Sequence, residues 1–298
     1  MSGMISSDLL SRIRRIEIKT RKMVEDLTAG AYHSVFKGSG IEFEDVREYT
    51  ENDDAKDIDW NVTAKTGTPY IKKYTEEREL TVMLLLDMSS SCYFGSADKT
   101  KKDTSIELAA LLAFSAIRNN DKVGLMMFTD KIEFYLPPKS GRIHILRLIR
   151  EIIVREPQSK GTNISLSLER IMKLLPKKAV IFLISDLIDR SSNFGKALTI
   201  VNKKHDVIAV RILDKLELEI PNIGYLNLSD SENGESLFFR AKGHNLKMFT
   251  EKAKSLHKES KDICTRSKVD FIDATCGQDL VKPLLGFFRR RERINNRV

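Results

Sequence analysis

Three short polar sequences carry oxygen atoms that could hold a metal ion. Asp87-Met88-Ser89-Ser90-Ser91 follows the apolar residues 80–86, and Asp186 follows the apolar residues 179–185. Thr162 lies between them in the chain, just before a segment with helical periodicity. Ligands of open parallel sheets bind beyond the carboxyl ends of the strands. If both apolar segments are strands, their terminal aspartates can therefore lie at one binding edge.

These residue types suit a hard divalent cation, which prefers oxygen ligands. Ser89 and Ser91 are two residues apart, so both hydroxyls can reach one ion, and Thr162 adds a third hydroxyl from another loop. Asp87 and Asp186 supply negative charge, directly or through water. The set leaves a coordination position open. The sequence therefore predicts a Mg²⁺ (or Mn²⁺) site that binds an Asp or Glu carboxylate of a partner.

Each piece has a simpler interpretation when it is taken alone. An aspartate after a buried strand is often a turn former, and Gly161-Thr162-Asn163 resembles an ordinary helix cap. Short motifs also match by chance. The occurrence of all three pieces in order, two of them after the most apolar segments, favours the metal site.

The alternation of apolar segments from residue 79 to residue 290 predicts an α/β fold. We expect a doubly wound, mostly parallel sheet flanked by helices, because strands and helices alternate along the chain. A polar β-hairpin is predicted over residues 224–240, with Asn233-Gly234 as its turn. The predicted strands are 80–86, 122–128, 132–136, 179–185, 207–212 and 269–273, and the predicted helices are 104–118, 142–154, 163–175, 192–203, 244–267 and 280–290.

Residues 1–78 are predicted to form an N-terminal region that packs against this domain. Its first part, residues 8–27, has the pattern of an amphipathic helix, which could lie on the domain or on a membrane surface. Its second part consists of short extended pieces separated by turn residues. Residues 291–298 are predicted to be a basic tail, with Arg289–Arg293 as a solvated helix end.

Composition limits the functional classes. The 298-residue chain has a net charge of +8, but its basic residues are interleaved with acidic ones, so no nucleic-acid partner is expected. Cys92, Cys264 and Cys276 form no metal-binding or disulfide pattern. The charged N-terminus has no signal-peptide core, and no apolar run reaches the roughly 20 residues of a transmembrane helix. A cytoplasmic location is expected.

At this point the chain resembles two known groups. The Asp-x-Ser-x-Ser, Gly-Thr-Asn and Ser-Asp sequences resemble the metal-ion-dependent adhesion site of von Willebrand factor A domains. That resemblance implies direct coordination by Ser89, Ser91 and Thr162, with Asp87 and Asp186 acting mainly through water. A second set of motifs resembles the bacterial family called domain of unknown function 58. These motifs are Gly40-Ile41-Glu42-Phe43, Val46-Arg47-Glu48-Tyr49, Asp57-Ile58-Asp59-Trp60, Ala64-Lys65 and Tyr74-Thr75-Glu76-Glu77-Arg78.

The second resemblance implies a functional setting. Members of that family are typically associated with MoxR-type AAA+ ATPases and have no established catalytic activity. The resulting hypothesis is a non-enzymatic, metal-dependent adaptor in protein assembly or maturation. A metal-dependent phosphoryl-transfer or hydrolytic enzyme and a basic nucleic-acid-binding protein remain alternatives. The charged segment 42–78 is interpreted as a structural ion-pair cluster or as a docking surface for the ATPase.

Overall fold

The chain divides into two compact units, which we describe separately. The smaller unit is Phe36–Leu80, and the larger one joins Met1–Val35 to Thr81–Val298. The N-terminal helix thus groups with the α/β domain, whereas the predicted boundary at residue 79 placed it with the extended segment. The computed structural model describes residues 7–28, 42–50, 53–75, 79–96, 98–189, 193–222, 224–229 and 234–295.

The larger unit is built on one six-stranded sheet. Its strands are β3 (Thr81–Asp87), β4 (Lys122–Phe128), β5 (Ile132–Lys139), β6 (Val180–Ser185), β7 (Asp206–Leu213) and β10 (Asp270–Thr275). Their order in the sheet is β10-β7-β6-β3-β4-β5. Strands β3, β4, β6, β7 and β10 are parallel, and β5 is an antiparallel edge strand. This confirms the predicted doubly wound, mostly parallel sheet.

The helices of this unit cover both faces of the sheet, which explains the continuous apolar character of β3 and β6. On one face, α5, α6 and α8 pack against the core. On the other, α3 packs against β3, β4 and β7. The described helices are α1 (Ser7–Thr28), α3 (Lys101–Arg118), α4 (Arg142–Val154), α5 (Ile164–Leu174), α6 (Phe194–Lys204), the short α7 (Lys215–Leu218), α8 (His244–Arg266) and α9 (Val281–Asn295).

Helix α1 packs on the outside of α3. Its buried residues Ile13, Thr20 and Val24 form the contacting stripe. Ion pairs at the rim join Arg12 to Asp103 at 2.7 Å and Lys19 to Glu107 at 2.9 Å, measured between nitrogen and oxygen. The apolar stripe of α1 is therefore used within the domain. No helix of the described residues is long and apolar enough to cross a membrane.

The smaller unit contains a two-stranded antiparallel sheet of β1 (Glu42–Glu48) and β2 (Tyr70–Thr75), with the short helix α2 (Trp60–Thr66) between them. Arg47 pairs with Asp53 at 2.6 Å. Asp54 and Asp59 accept hydrogen bonds from backbone N–H groups at the starts of short helices. These contacts support the structural interpretation of the charged segment. The motif residues 40–41 and 76–78 lie outside the described residues.

The predicted hairpin forms but is not polar. Its strands are β8 (Gly224–Ser229) and β9 (Ser236–Ala241), and the predicted Asn233 turn position lies outside the described residues. The register pairs Leu226 with Phe239 and Leu228 with Leu237. Because side chains alternate across a strand, these four apolar residues share one face.

The predicted solvated basic tail is also corrected. Helix α9 continues to Asn295, and Arg291 is half-buried in it. Its guanidinium donates to both carboxylate oxygens of Asp206, at 2.6 and 2.7 Å, and to Asp270 at 2.6 Å. Arg291 therefore ties α9 to the adjacent strands β7 and β10, whereas Arg289 and Arg290 are exposed as predicted.

Candidate metal centre

The candidate site lies where the direction of the chain through the sheet reverses. From β3 the chain continues to β4 on one side and later returns to β6 on the other side. Strands β3 and β6 are parallel neighbours, with Leu86 paired to Ile184. Asp87 and Asp186 follow these paired residues at the carboxyl edge. Such a topological switch point is the usual ligand position in an open α/β sheet.

Four of the five predicted ligands form one hydrogen-bonded chain. The Ser89 and Ser91 hydroxyl oxygens are 3.1 Å apart. The Ser91 hydroxyl donates to Oδ2 of Asp186 at 2.8 Å. Asp87 accepts from the backbone N–H of Ser89 at 2.8 Å and from the Ser185 hydroxyl at 2.6 Å. The two serines therefore face the same point, as their spacing predicted.

Thr162 lies on a loop that is hydrogen-bonded on both sides, to Ser90 on one side and to Thr129, directly after β4, on the other. The carbonyl of Lys160 accepts from the backbone N–H and the hydroxyl of Ser90, at 3.0 and 3.1 Å. The N–H of Asn163 donates to the carbonyl of Thr129 at 3.0 Å. Thr162 is 5% exposed. The structure thus places the loop that carries Thr162, the fifth predicted ligand, beside residues Ser89–Ser91, which we call the serine loop.

The turn after β6 has an unusual backbone conformation. Leu187 has φ of 58°, in the left-handed region that is uncommon for a non-glycine residue. Its N–H donates to the Ser185 hydroxyl at 3.0 Å, and the next N–H, of Ile188, donates to Oδ1 of Asp186 at 3.1 Å. These bonds fix the orientation of Asp186 and leave its other oxygen to Ser91.

Sequence reasoning missed one charged residue of the site, Lys101. Its side chain is 1% exposed, and its Nζ lies 2.9 Å from Oδ2 of Asp186 and 2.5 Å from Oε1 of Glu217. Lys101 is the first residue of α3, directly after the N-cap Thr100. Glu217 lies on α7, where it forms a capping box with Asp214. The Thr-x-x-Asp cap could have marked the helix start, but no local pattern indicated that Lys101 points inward.

The electrostatics of the site fit a bound cation. Burial and the nearby charge of Asp186 raise the pKa of Asp87 to about 6. Burial also opposes the ionised form of Asp186, but its ion pair with Lys101 and its hydrogen bonds outweigh burial and lower its pKa. The ammonium group of Lys101 pairs with Asp186 and Glu217, and Asp87 has no such partner among its hydrogen bonds to Ser89 and Ser185, so the three side chains in their ionised form carry two negative charges more than Lys101 balances. A divalent cation would neutralise this excess.

The donor set also determines which kind of metal fits. Among the described residues, no three His, Cys, Asp or Glu side chains form a metal-binding group. A metal here would therefore depend on the hydroxyls of Ser89, Ser91 and Thr162. Hard cations such as Mg²⁺ and Mn²⁺ accept such oxygen ligands.

A groove of about 1220 Å³ opens beside the serine loop, and Ser90, Ser91 and Asp186 line part of it. Most of its other lining residues are apolar. They come from the turn after Ser91, from α7 and the residues after it, from the β8–β9 hairpin and from α8.

The family model named "Protein of unknown function DUF58" matches residues 45–260. The chain belongs to this family. An uncharacterized protein of Mycobacterium tuberculosis is 26% identical over 228 residues, covering 76% of this chain and 72% of the relative. This DUF58 protein is thus similar to a mycobacterial protein over most of that protein's length.

One solved structure shares the fold at a TM-score above 0.5, and a second shows a weaker similarity. The conserved hypothetical protein BatB from Bacteroides thetaiotaomicron is 17% identical, covers 72% of this chain and 99% of its own, and has a TM-score of 0.51. The SpRpn10 VWA domain is 11% identical, covers 70% and 94%, and has a TM-score of 0.36. The DUF58 chain has a von Willebrand factor A-like α/β fold, as the sequence predicted.

Proposed function

We propose that this DUF58 protein is a non-enzymatic interaction module that captures an acidic side chain of a partner through a divalent metal, Mg²⁺ or Mn²⁺. Ser89, Ser91 and Thr162 would hold the ion directly. Asp87 and Asp186 would act mainly through water. The observation that carries this proposal is the hydrogen-bonded chain from Asp87 through Ser89 and Ser91 to Asp186 at the switch point of the sheet.

The bound metal would supply a positive centre with an open position for a carboxylate. Hydrogen bonds within the protein hold the proposed ligands in position. Ser185 holds Asp87, the backbone N–H of Ile188 holds Asp186, and the Lys160 carbonyl holds the serine loop through the backbone N–H of Ser90. A site fixed on every side in this way binds an ion with little reorganisation, which favours affinity.

The thiol nearest the site is not a candidate nucleophile. Cys92 is buried, and its Sγ donates to the carbonyl of Asp87 at 3.3 Å. Burial and the charges of Asp87 and Asp186 raise the pKa of this thiol well above its ordinary value. A thiol in such surroundings stays protonated and is a poor nucleophile.

The proposed partner is a MoxR-type AAA+ ATPase or its client protein, with the DUF58 protein as the adaptor in assembly or maturation. The choice of a MoxR-type ATPase rests on the resemblance to the domain of unknown function 58 family, which implies association with such ATPases. The match to the family model supports that resemblance. We place this adaptor in the cytoplasm. The buried, free thiols Cys92, Cys264 and Cys276 fit a reducing compartment.

The test combines metal binding with partner binding. Mg²⁺ and Mn²⁺ affinity is measured by isothermal titration calorimetry for the wild type and for Asp87→Ala and Ser89→Ala. Binding of a purified MoxR-type ATPase is measured by biolayer interferometry with Mg²⁺ or with a chelator. We expect both variants to lose metal affinity by at least about tenfold, because each removes charge or a ligand, and ATPase binding to require the metal.

Ser90→Ala is the matched control within the same loop. Its hydroxyl belongs to no predicted ligand set, and the bond from its backbone N–H to Lys160 remains. We expect near wild-type metal affinity from it. Equal metal affinity in all variants would contradict the metal site, and ATPase binding that survives chelation would contradict metal-dependent capture.

A further inference from the structure

The groove beside the metal centre has one apolar wall formed by the β8–β9 hairpin. Leu226 and Leu228 alternate with polar residues on β8, and Leu237 lies opposite Leu228 on β9. At the base of the hairpin, the ring of Phe239 packs 5.7 Å from that of Phe249 on α8. Further along, Leu237 remains 62% exposed while lining the groove. The wall is therefore only partly covered by the protein itself.

A second wall of the groove is also apolar. Tyr93 and Phe94, which follow Ser91 after Cys92, line the groove and are 45% and 43% exposed. Leu216, Ile220 and Pro221 line it near α7. Contiguous exposed apolar surface of this kind on a folded domain marks an interaction site.

The charged side chains that line the groove are all acidic. Asp186 and Glu217 pair with the buried Lys101, and Glu235 is the third. Since no basic residue is among the described lining residues, a ligand carboxylate would find unpaired positive charge at the metal end, where the cation would supply it. The remainder of the ligand must be neutral and apolar to match the walls.

The size of the groove distinguishes between classes of ligand. Small-molecule pockets commonly enclose about 300–1,000 Å³, whereas this groove measures about 1220 Å³. A segment of polypeptide fills such a volume with several side chains. A single acyl chain would leave much of both walls exposed.

We propose that the groove binds a partner segment with one Asp or Glu at the metal and at least two large apolar side chains between the hairpin and the Tyr93-Phe94 wall. This inference rests on the proposed function and adds the chemistry of the bound segment. The metal supplies the common anchor, and the hairpin wall selects segments by the apolar residues beside the acid.

The experiment uses a phage-displayed random 12-residue peptide library, selected on the full chain in Mg²⁺ and eluted with a chelator. We expect the enriched peptides to share one acidic residue with apolar residues at a constant spacing from it. The most enriched peptide is then labelled, and its affinity is measured by fluorescence anisotropy. A second peptide with the apolar positions changed to serine should bind at least about tenfold more weakly.

The hairpin offers a matched pair of variants. Leu237 lines the groove, while its neighbour Phe238 is 72% exposed on the opposite face, where it stacks on Tyr225 at 5.3 Å. Both residues are exposed enough for serine to leave the fold intact. We expect Leu237→Ser to weaken peptide binding by at least about tenfold and Phe238→Ser to change it less than about twofold.

Several results would overturn the groove proposal. These are equal effects of Leu237→Ser and Phe238→Ser, enriched peptides that share only the acid, an absence of enrichment, or binding of dodecanoate without any peptide. Metal affinity, measured by calorimetry, distinguishes a failure of the groove proposal from a failure of the proposed function. Leu237→Ser should bind Mg²⁺ as the wild type does, whereas failure of the proposed function appears as a wild-type chain that binds no metal.

Discussion

The Nζ atom of Lys101 lies 2.9 Å from Oδ2 of Asp186, with both side chains almost fully buried. The same oxygen accepts a hydrogen bond from Ser91 at 2.8 Å. Lys101 also reaches Glu217 on α7 at 2.5 Å. One lysine thus joins the first turn of α3 to the candidate metal centre and to Glu217, which lines the groove.

Lys101→Met is expected to lower the free energy of unfolding by about 3 kcal/mol, because removal of one member of a buried ion pair leaves uncompensated charge. Urea denaturation measures this loss. Saturating Mg²⁺ should restore part of it in this variant, since the cation neutralises Asp186. Lys102→Met is the control, because that lysine is only partly buried and its Nζ lies 4.8 Å from the centre of the Tyr93 ring. A similar loss in both variants would contradict the role assigned to Lys101.

Ser185→Ala is expected to weaken Mg²⁺ affinity through Asp87, as a positioning residue. The Ser185 hydroxyl donates to Asp87 at 2.6 Å and accepts from the N–H of Leu187 at 3.0 Å. Loss of such a supporting bond typically costs about 10- to 100-fold in metal affinity. Calorimetry measures the affinity, and Ser185→Thr, which keeps a hydroxyl, should recover part of it.

Ser115→Ala controls for the loss of a buried hydroxyl elsewhere. Its hydroxyl donates to the carbonyl of Leu111 within α3. We expect a loss of stability of about 1 kcal/mol with unchanged metal affinity. If both serine variants bind Mg²⁺ like the wild type, Ser185 does not position Asp87.

His205 is expected to make stability depend on pH. Burial, and to a smaller extent the charge of Lys204, lower its pKa to about 4, and neither ring nitrogen has a hydrogen-bond partner among the described residues. The unfolded chain binds the proton near pH 6.5. The contribution of His205 is therefore complete above pH 6.5 and is lost as pH falls toward 4, by about 2–3 kcal/mol.

Urea denaturation of the wild type and of His205→Gln between pH 4 and pH 7.5 measures this effect. The variant should show a smaller loss of stability across the interval, because the group that gains a proton on unfolding is absent. His144→Gln provides a comparison, since the Nε2–H group of His144 already donates a hydrogen bond to the carbonyl of Val123 at 2.8 Å. Parallel curves for wild type and His205→Gln would refute the assignment.

Arg291→Ala is expected to destabilise the domain by about 2 kcal/mol, because it removes half-buried charge-assisted hydrogen bonds to Asp206 and Asp270. Arg291→Lys should recover little, since lysine cannot bind Asp206 in the same bidentate manner. The exposed neighbour Arg290 is the control, and Arg290→Ala should change stability by less than about 0.5 kcal/mol. Thermal unfolding measures all three, and equal stability of the two alanine variants would contradict the prediction.

Much of the fold could be predicted because its signals are local. The apolar runs before Asp87 and Asp186 predicted two buried strands, and these form β3 and β6. The helical period before and after them predicted the helices that cover the sheet. The hairpin was located correctly from its turn residues, but the prediction that it is polar was wrong. Leu226 and Leu228 alternate with polar residues, and only pairing with β9 joined them to Leu237 on one apolar face.

Part of the candidate site could likewise be predicted from the sequence, and part of it depends on the tertiary structure. The sequence by itself determined the five oxygen-bearing residues, their order in the chain and the metal class that they suit, because ligand chemistry depends on residue type and short spacing. Only the tertiary structure decided that Ser185 reaches Asp87 across 98 residues of chain and that Lys101 reaches Glu217 across 116. Those contacts depend on the order of strands in the sheet, to which no local pattern corresponds.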